Sequence, residues 1–369
     1  MLAATATLSG TTVTTPPGQD TGTNILLMGI DDRDTITQQE KQQFHAGGTA
    51  CHCTDVMMLV HVSAARDRVS VVSLPRDSYA LVPAHRDDVT GALRPAHSAK
   101  LNHAYAEGGP ALAVRTVENM TGVDIKHYLQ VDFRRFMDAV DEIGGVDVCT
   151  ARPLQDFATR LDLTPGTHRL GGGQALQYVR SRHLDASADI GRVQRQQRFL
   201  VATLRRLSTQ GVLADPVTMV RLARTLRGSV RVDQGMSVGR LLDLAAVLSR
   251  IPLSATEFTT VPVGGFHPIL PGVGSTLRWD TAAERRLFSR LRQDRPLVPA
   301  GSTPAAADPP PLLGRTPPVR GTALACSGLP SQNIAEAAGK GDSTAEPSHA
   351  RAGAGHRHDF FGWEFGEGR

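Results

Sequence analysis

Lysine is nearly missing from this chain. Only Lys41, Lys100, Lys126 and Lys340 occur, so almost all of the 40 basic side chains are arginine. A GC-rich genome produces such a bias, and the average arginine here needs no other explanation. Arginine also grips phosphate through a planar two-donor fork, so arginines that cluster carry information that scattered ones do not. Long basic runs are absent, and a formal net charge of +4 over 369 residues does not mark a nucleic-acid binder. No helix-turn-helix with a basic recognition helix can be read, so no nucleic-acid partner is expected. No stretch approaches the roughly 18 apolar residues of a membrane span. Met1 to Gly10 lacks the basic flank and cleavage site of a signal peptide, and Leu2 to Ala6 reads as the end of a helix at most, so no export signal is visible.

Several catalytic signatures are also missing: G-x-S-x-G, the phosphate loop G-x-x-x-x-G-K-[ST], and H-E-x-x-H. His97, His103 and His183 are scattered and read as hydrogen-bonding surface or core residues. Asn119-Met120-Thr121 matches a glycosylation sequon by chance. The four cysteines are Cys51, Cys53, Cys149 and Cys326. Cys51-His52-Cys53 resembles a ligand fragment but lacks the second pair that a zinc site needs. In an exported protein a disulfide involving Cys149 fits better. Cys326 has the weakest case, and the sequence leaves the connectivity open.

What is present is a set of short apolar runs that end in charge. Asn24–Ile30 reads as a buried strand delivering Asp31, Asp32 and Arg33 into a loop. Gln38–Cys53 reads as a long loop. Val56–Val62 is a second strand, entered from Asp55, and Val69–Leu74 is a third, stopped by Pro75 and followed by Arg76-Asp77. Helical spacing predicts helices over Pro110–Met120, Phe133–Ile143, Gln174–Val179, Gly191–Leu207, Asp215–Arg227, Val238–Arg250 and Thr281–Arg292. Phe133, Phe136, Val140 and Ile143 share one face and read as core, as do Val193, Leu200, Leu204 and Leu207. Gly144-Gly145 caps a helix, and His127–Val131, Val146–Cys149 and Phe258–Val263 are further strands. No internal repeat is found. The expected fold is α/β, a central mixed sheet flanked by helices, over residues 24–295. Residues 1–23 read as a flexible segment, and the Pro/Gly/Ala-rich residues 296–369 as a disordered tail.

Two groups could carry chemistry. Asp31 and Asp55 each sit at a strand edge; on neighbouring strands they could share a divalent ion through oxygen-only ligation, as magnesium prefers, or they could serve as turn and capping residues. The second group is Tyr178-Val-Arg-Ser-Arg-His183 with Asp189, Arg192, Arg195, Gln196 and Arg198. Arg192, Arg195 and Gln196 share a helical face beside the apolar stripe. The cluster reads equally as a phosphate cradle near a helix start and as a solvated basic surface.

The ordered set of segments resembles the LytR-CpsA-Psr family, in its actinobacterial form. It comprises Asn24–Arg33, Thr54–Val60, Ser73-Leu-Pro-Arg-Asp77, Lys100-Leu-Asn-His-Ala-Tyr-Ala-Glu-Gly-Gly109, Val131-Asp-Phe133, Asp141–Val148, Gly173–His183 and Asp189–Gln197, spanning about Asn24 to Leu207. The resemblance implies a phosphotransferase that moves a glycopolymer from a polyprenyl pyrophosphate carrier to a peptidoglycan hydroxyl, with the membrane surface as its workplace. It implies magnesium on Asp31 and Asp55, manganese being its stand-in. Arg76, Arg180, Arg182, Arg192 and Gln196 match pyrophosphate-contacting positions, Asp189 a general base, and Arg33, Asp77, Lys100 and Arg195 secondary contacts. Within this set Asp189, Arg76 and Arg182 are the expected catalytic residues. An extracytoplasmic location and a membrane anchor are implied as well. The competing expectations are a pyrophosphatase acting on the same lipid and a non-catalytic polyprenyl-phosphate-binding module or attenuator of envelope gene expression.

Overall fold

The computed structural model describes residues 22–48, 51–184, 188–209, 221, 231–232, 238–302, 305–306 and 316–326. The chain divides into two compact units, Met1–Gln332 and Asn333–Arg369, and every described residue belongs to the first. The strands are β1 (Thr23–Ile30), β2 (Thr54–Val62), β3 (Val69–Ser73), β4 (Tyr79–Val82), β5 (His85–Arg86), β6 (Leu93–Arg94), β7 (His97–Lys100), β8 (His127–Asp132), β9 (Val146–Thr150), β10 (Leu154–Asp156), β11 (Leu161–Leu163), β12 (Gly166–Leu170), β13 (Arg231–Val232), β14 (Thr256–Thr260), β15 (Val263–Phe266), β16 (Leu277–Trp279) and β17 (Val319–Arg320). The helices are α1 (Gln38–Gln43), α2 (Leu101–Thr121), α3 (Phe133–Glu142), α4 (Gly172–Arg180), α5 (Ala188–Thr209), α6 (Val238–Arg250), α7 (Thr281–Arg292) and α8 (Gly321–Leu324).

One mixed sheet of seven strands organises them, in the order β13-β8-β1-β2-β3-β14-β17. The β1–β8 and β3–β14 pairs are parallel, and β1–β2 and β2–β3 are antiparallel. Side chains alternate across a strand, and here both faces are apolar. Leu26 and Met28 of β1 and Met57 and Leu59 of β2 pack on one face with Leu101 of α2 and Phe288 and Leu291 of α7. Met58 and Val62 face the other way, toward Val201 of α5 and Leu244 of α6. A sheet covered on both faces reads as continuous hydrophobic runs, which is why these strands were legible. Truncating the fully buried Leu59 to alanine should cost about 2–5 kcal/mol.

The topology gathers the charged strand ends. The carboxyl ends of β1, β3, β8 and β14 and the amino end of β2 all lie at one edge of the sheet, where ligand crevices of open α/β sheets form. At that edge the β1–β2 register slips: Gly29 pairs with Val56 but Ile30 with Thr54, leaving Asp55 as the extra residue of a bulge. Such a bulge re-aims a side chain out of the ladder. Next along, Asp132 ends β8 and caps α3, accepting the Arg135 amide at 2.9 Å. Gly144 and Gly145, at φ 73° and 81°, end that helix and turn the chain into β9 as its sequence predicts.

Several expectations need correction. Gln38–Gln43 is a helix with a full capping box between Thr37 and Glu40, not loop; Thr37-x-x-Glu40 was the overlooked signal. Helix α2 starts at Leu101, well before Pro110, and kinks at Gly108-Gly109. Part of the segment read as tail is built into the fold: β17 pairs with β14, and Val319 and Leu324 are buried. The disulfide expected at Cys149 is present, with Cys326 as its partner, and Cys51 is bridged to Cys53. The expected helix over Asp215–Arg227, most of the N-terminal segment and the tail beyond Cys326 lie outside the described residues. Among the described residues no helix is long and apolar enough to cross a membrane.

Candidate active site

The carboxylates and guanidinium groups picked out by spacing meet at the gathered strand ends. Asp31 is buried, and Arg33 binds both its oxygens at 2.7 Å. Asp55 receives Arg76 directly and lies 3.8 Å from Arg182. Arg76 also approaches Asp77 at 3.5 Å, and Lys100 closes on the other oxygen of Asp77 at 2.9 Å. Asp189, in the first turn of α5, stands 3.3 Å from Arg182 and 3.4 Å from Arg192. Arg180 lies over the Phe133 ring, 5.0 Å from its centroid, a cation–π contact. The basic face of α5 is therefore not a solvated surface: Arg192, Arg195 and Gln196 are 3%, 7% and 7% exposed.

Burial and charge oppose each other at Asp55, Asp77 and Arg192. Burial would raise the Asp55 carboxyl, but Arg192, Arg76 and Arg182 together outweigh it and hold Asp55 below the usual carboxylate range. Burial would likewise raise Asp77; the bond from Lys100, the charge of Arg76 and a hydrogen bond shared with Asp189 bring it down. Arg192 is pushed down to about 10 by burial, with Asp189 and Asp55 opposing. Burial, then the nearby Arg33, also lowers Arg180. Cations held this far from water are short of anions. Nε of Arg76 and Nε of Arg192 are buried without a hydrogen-bond partner. Leaving such donors unmade is costly unless something else meets them, and a phosphoryl oxygen is a chemical match.

Two spaces meet at this point. A small recess brings together Asp55, Arg76, Asp77, Asp189, Arg192 and Gln196, with Met57, Leu74 and Val193 behind them. An apolar cleft of about 300 Å³ shares Asp55, Arg192 and Gln196 with it and runs between the sheet and helices α3 and α5. Its walls include Leu27 and Met58 from the sheet, Phe136, Val140 and Ile143 from α3, and Phe199, Leu200 and Leu207 from α5. The stripes read as plain core on α3 and α5 are thus in part the walls of a cleft. Periodicity reports an apolar face but not whether another side chain fills it.

Two of the expected contact residues also brace the chain beside the site. Nη2 of Arg195 donates to the Ser181 carbonyl at 2.6 Å, and Nε2 of Gln196 to the Val179 carbonyl at 3.1 Å. Both brace the chain segment that carries Arg180 and Arg182. A third brace was missed in the sequence. The buried carboxylate of Asp156 accepts four backbone amides: Arg182 at 2.7 Å, His183 at 2.8 Å, Ala158 at 2.8 Å and Thr159 at 3.0 Å. Burial opposes its charge, but these amides bring its pKa down to about 2. Nothing local announces it, because an aspartate in a short hairpin looks like any turn residue. Beside the mouth, Asp32, Asp34 and His52 form a more exposed group whose ligand atoms lie within 4.8 Å of one another.

A guanidinium cradle thus lies at the edge of the sheet and opens onto an apolar cleft. Comparison with known proteins places the chain: the LytR_cpsA_psr family model matches residues 4–276. The chain belongs to that family. It is 33% identical over 272 residues to the probable cell wall biosynthesis protein LcpB of Corynebacterium glutamicum, covering 73% of this chain and 61% of that protein's length. It is 27% identical over 256 residues to the polyisoprenyl-teichoic acid–peptidoglycan teichoic acid transferase TagU of Oceanobacillus iheyensis, covering 68% of this chain and 69% of the other. Bacillus subtilis TagV shares the fold, with a TM-score of 0.56 and 24% identity over 76% of this chain and all of that one.

Proposed function

We propose that this chain transfers a glycan phosphate from a polyprenyl pyrophosphate carrier to a peptidoglycan hydroxyl in wall assembly. The observation that carries this reading is the junction of cradle and cleft: buried, unpartnered guanidinium donors at the mouth of an apolar space. An amphiphilic donor fits such a junction, its tail against Phe136, Phe199 and Leu207 and its pyrophosphate among Arg76, Arg182 and Arg192. The name of the Oceanobacillus relative describes the same class of transfer.

In the reaction, the acceptor oxygen forms a bond to the sugar-side phosphorus. The bridging P–O bond breaks, and its electrons leave with the polyprenyl phosphate. Asp189, oriented by Arg182 and Arg192, takes the proton of the attacking hydroxyl. Arg76, Arg182 and Arg192 face the charge that develops on the phosphoryl oxygens; their stabilisation there is pre-organised because Asp55, Asp189 and Asp156 fix them beforehand. Asp31 and Asp55 fit a divalent ion of the magnesium type, manganese being its stand-in. They are oxygen-only anionic donors on adjacent strand ends, each faced by a guanidinium, Arg33 and Arg76. Bound there, such an ion would neutralise pyrophosphate charge. The two disulfides support a place in an oxidising compartment outside the cytoplasm, where a lipid-linked donor lies at the membrane surface.

The test is transfer from a synthetic polyprenyl pyrophosphate glycan to a peptidoglycan oligomer, with and without magnesium, in the wild type, Asp55→Ala and Arg182→Ala. Labelled acceptor from the wild type alone supports the transferase. Free phosphorylated glycan with an unlabelled acceptor would replace it with a pyrophosphatase, and donor binding without turnover would leave a binding module.

A further inference from the structure

The two disulfides differ in what they can contribute. Cys149–Cys326 spans 177 positions of sequence and ties β9 to the chain just after α8. A bridge over so long a loop removes much freedom from the unfolded chain. Cys51–Cys53 spans two positions and constrains little beyond its own turn, so stability gives no account of it. Its surroundings do. Cys51 and His52 are exposed, whereas Cys53 is 7% exposed. His52, between the two sulfurs, is held at φ 48°, a left-handed conformation that is unfavourable for a non-glycine residue. Nδ2 of Asn102 donates toward Cys53 Sγ at 3.8 Å, while Oδ1 of the same amide is buried without a hydrogen-bond partner. A disulfide sulfur has no hydrogen to offer that oxygen; a thiol has one. The same turn is bonded to the transfer site. The Cys53 carbonyl accepts the Asp31 amide at 3.0 Å, and the Asn102 amide donates to the Arg76 carbonyl at 3.1 Å. Two residues beyond Cys53 stands Asp55, the extra residue of the β2 bulge.

We propose that Cys51–Cys53 is a thiol–disulfide exchange site for dithiols, and that its oxidised form holds Asp31 and Asp55 in place for transfer. The consequence for turnover rests on the transferase reading; the exchange does not. One sulfur of the dithiol, as thiolate, bonds to Sγ of the exposed Cys51. The Cys51–Cys53 bond breaks, and its electron pair leaves with Sγ of Cys53, which takes up a proton. The second sulfur of the reagent then bonds to the first, closing the reagent's own disulfide and freeing Cys51 as a thiol. Two electrons and two protons pass to the protein, and the dithiol is oxidised. Exposed disulfides are the labile ones, and both cysteines of the long bridge are half-buried. Opening the short bridge frees His52 to adopt ordinary backbone angles and gives Cys53 a hydrogen beside Asn102. It also loosens the turn whose carbonyl holds the Asp31 amide.

The test equilibrates the full chain in mixtures of reduced and oxidised dithiothreitol, quenches with acid, alkylates the free thiols and maps them by mass spectrometry. Cys51 and Cys53 should open together at a dithiol-to-disulfide ratio at least about tenfold lower than Cys149 and Cys326 require. At that ratio, hydrogen exchange at the Asp31 amide should quicken, and transfer should fall at least about tenfold and recover on reoxidation. Cys51→Ser, which leaves Cys53 a thiol, should show the quickened exchange without reductant and no further response to dithiol; a thermal melt checks its folding, and the wild-type arm stands without it. Selective opening with quickened exchange, in a protein that transfers nothing in either state, would sink the transferase reading and keep the exchange site. The proposal is overturned if Cys51–Cys53 resists a ratio that already opens Cys149–Cys326. It is overturned equally if the short bridge opens and neither exchange at Asp31 nor transfer changes.

Discussion

The two ends of the central sheet both bury charge, and they do so differently. At the end opposite the active site, Asp294 accepts Arg68 at 2.5 Å and the Ala64 amide at 3.1 Å, and meets His61 at 2.9 Å. There too Glu257, fully buried in β14, accepts Ser70 at 2.7 Å and the Leu297 and Val298 amides at 2.8 and 3.0 Å. Nε of Arg68 is left over, 3.9 Å from Glu257, but each carboxylate there is filled by donors at bonding distance. At the active-site end Arg182 stands 3.8 Å from Asp55 and 3.3 Å from Asp189, and Arg192 3.4 Å from Asp189. The difference lies in the carboxylates: Glu257 and Asp294 are met at bonding distance, whereas Asp189 is met by its two guanidinium groups only at 3.3 and 3.4 Å. The contrast separates structural charge from functional charge better than burial does.

Four substitutions can break or sharpen that contrast. Arg182→Ala should lower transfer by about 10²–10³-fold while the melting temperature scarcely moves; a large loss of stability instead would mean the mouth is structural after all. Glu257→Ala should do the reverse, costing about 3–5 kcal/mol in urea unfolding by stripping a buried ionic network of one member, with unchanged turnover per folded molecule. Asp156→Asn lies between the two kinds. It should cost about 1–3 kcal/mol by leaving amides unpaired, and it should lower transfer less than Arg182→Ala does. Because the folded-state pKa of Asp156 is depressed from 3.8 to about 2, its stabilisation is complete above the ordinary value and fades as pH falls through that window. Urea midpoints of wild type and Asp156→Asn should therefore converge in acid. Smallest of all, Ala139→Phe in the cleft wall should raise KM about tenfold for a long-tailed donor and leave a short-tailed analogue unaffected.

The sheet was legible because both its faces are apolar, so β1, β2 and β3 stand out as runs. The small hairpins were not: β4 with β7, β5 with β6 and β10 with β11 are strands of two to four residues, too short for any period to register. The acidic strand ends and the arginine cluster were visible as residue types. Their meeting was not, because it depends on the order of β1, β2 and β3 and on the bulge at Asp55. Arg195 illustrates the remaining gap. Spacing put it on the same face as Arg192, yet its Nη2 donates to the Ser181 carbonyl and braces the loop. Asp156 illustrates the converse, a residue without a motif whose role comes wholly from four amides brought to it by the fold.

The parallel pairing of β3 with β14 governs the order in which this chain can fold. Val69 finds its partner at Thr256, and β14 in turn receives β17 near Cys326, the partner of Cys149. A chain emerging from its amino end therefore carries β3 as an open edge until most of its length has been made, and non-local pairing of this kind is slow. During that interval the half-built sheet is exposed to wrong neighbours. The Cys149 thiol must also wait, unpaired, for a residue 177 positions downstream. A premature stop upstream of β14 would therefore release a molecule with an open β3 edge, the kind that templates pairing with other chains.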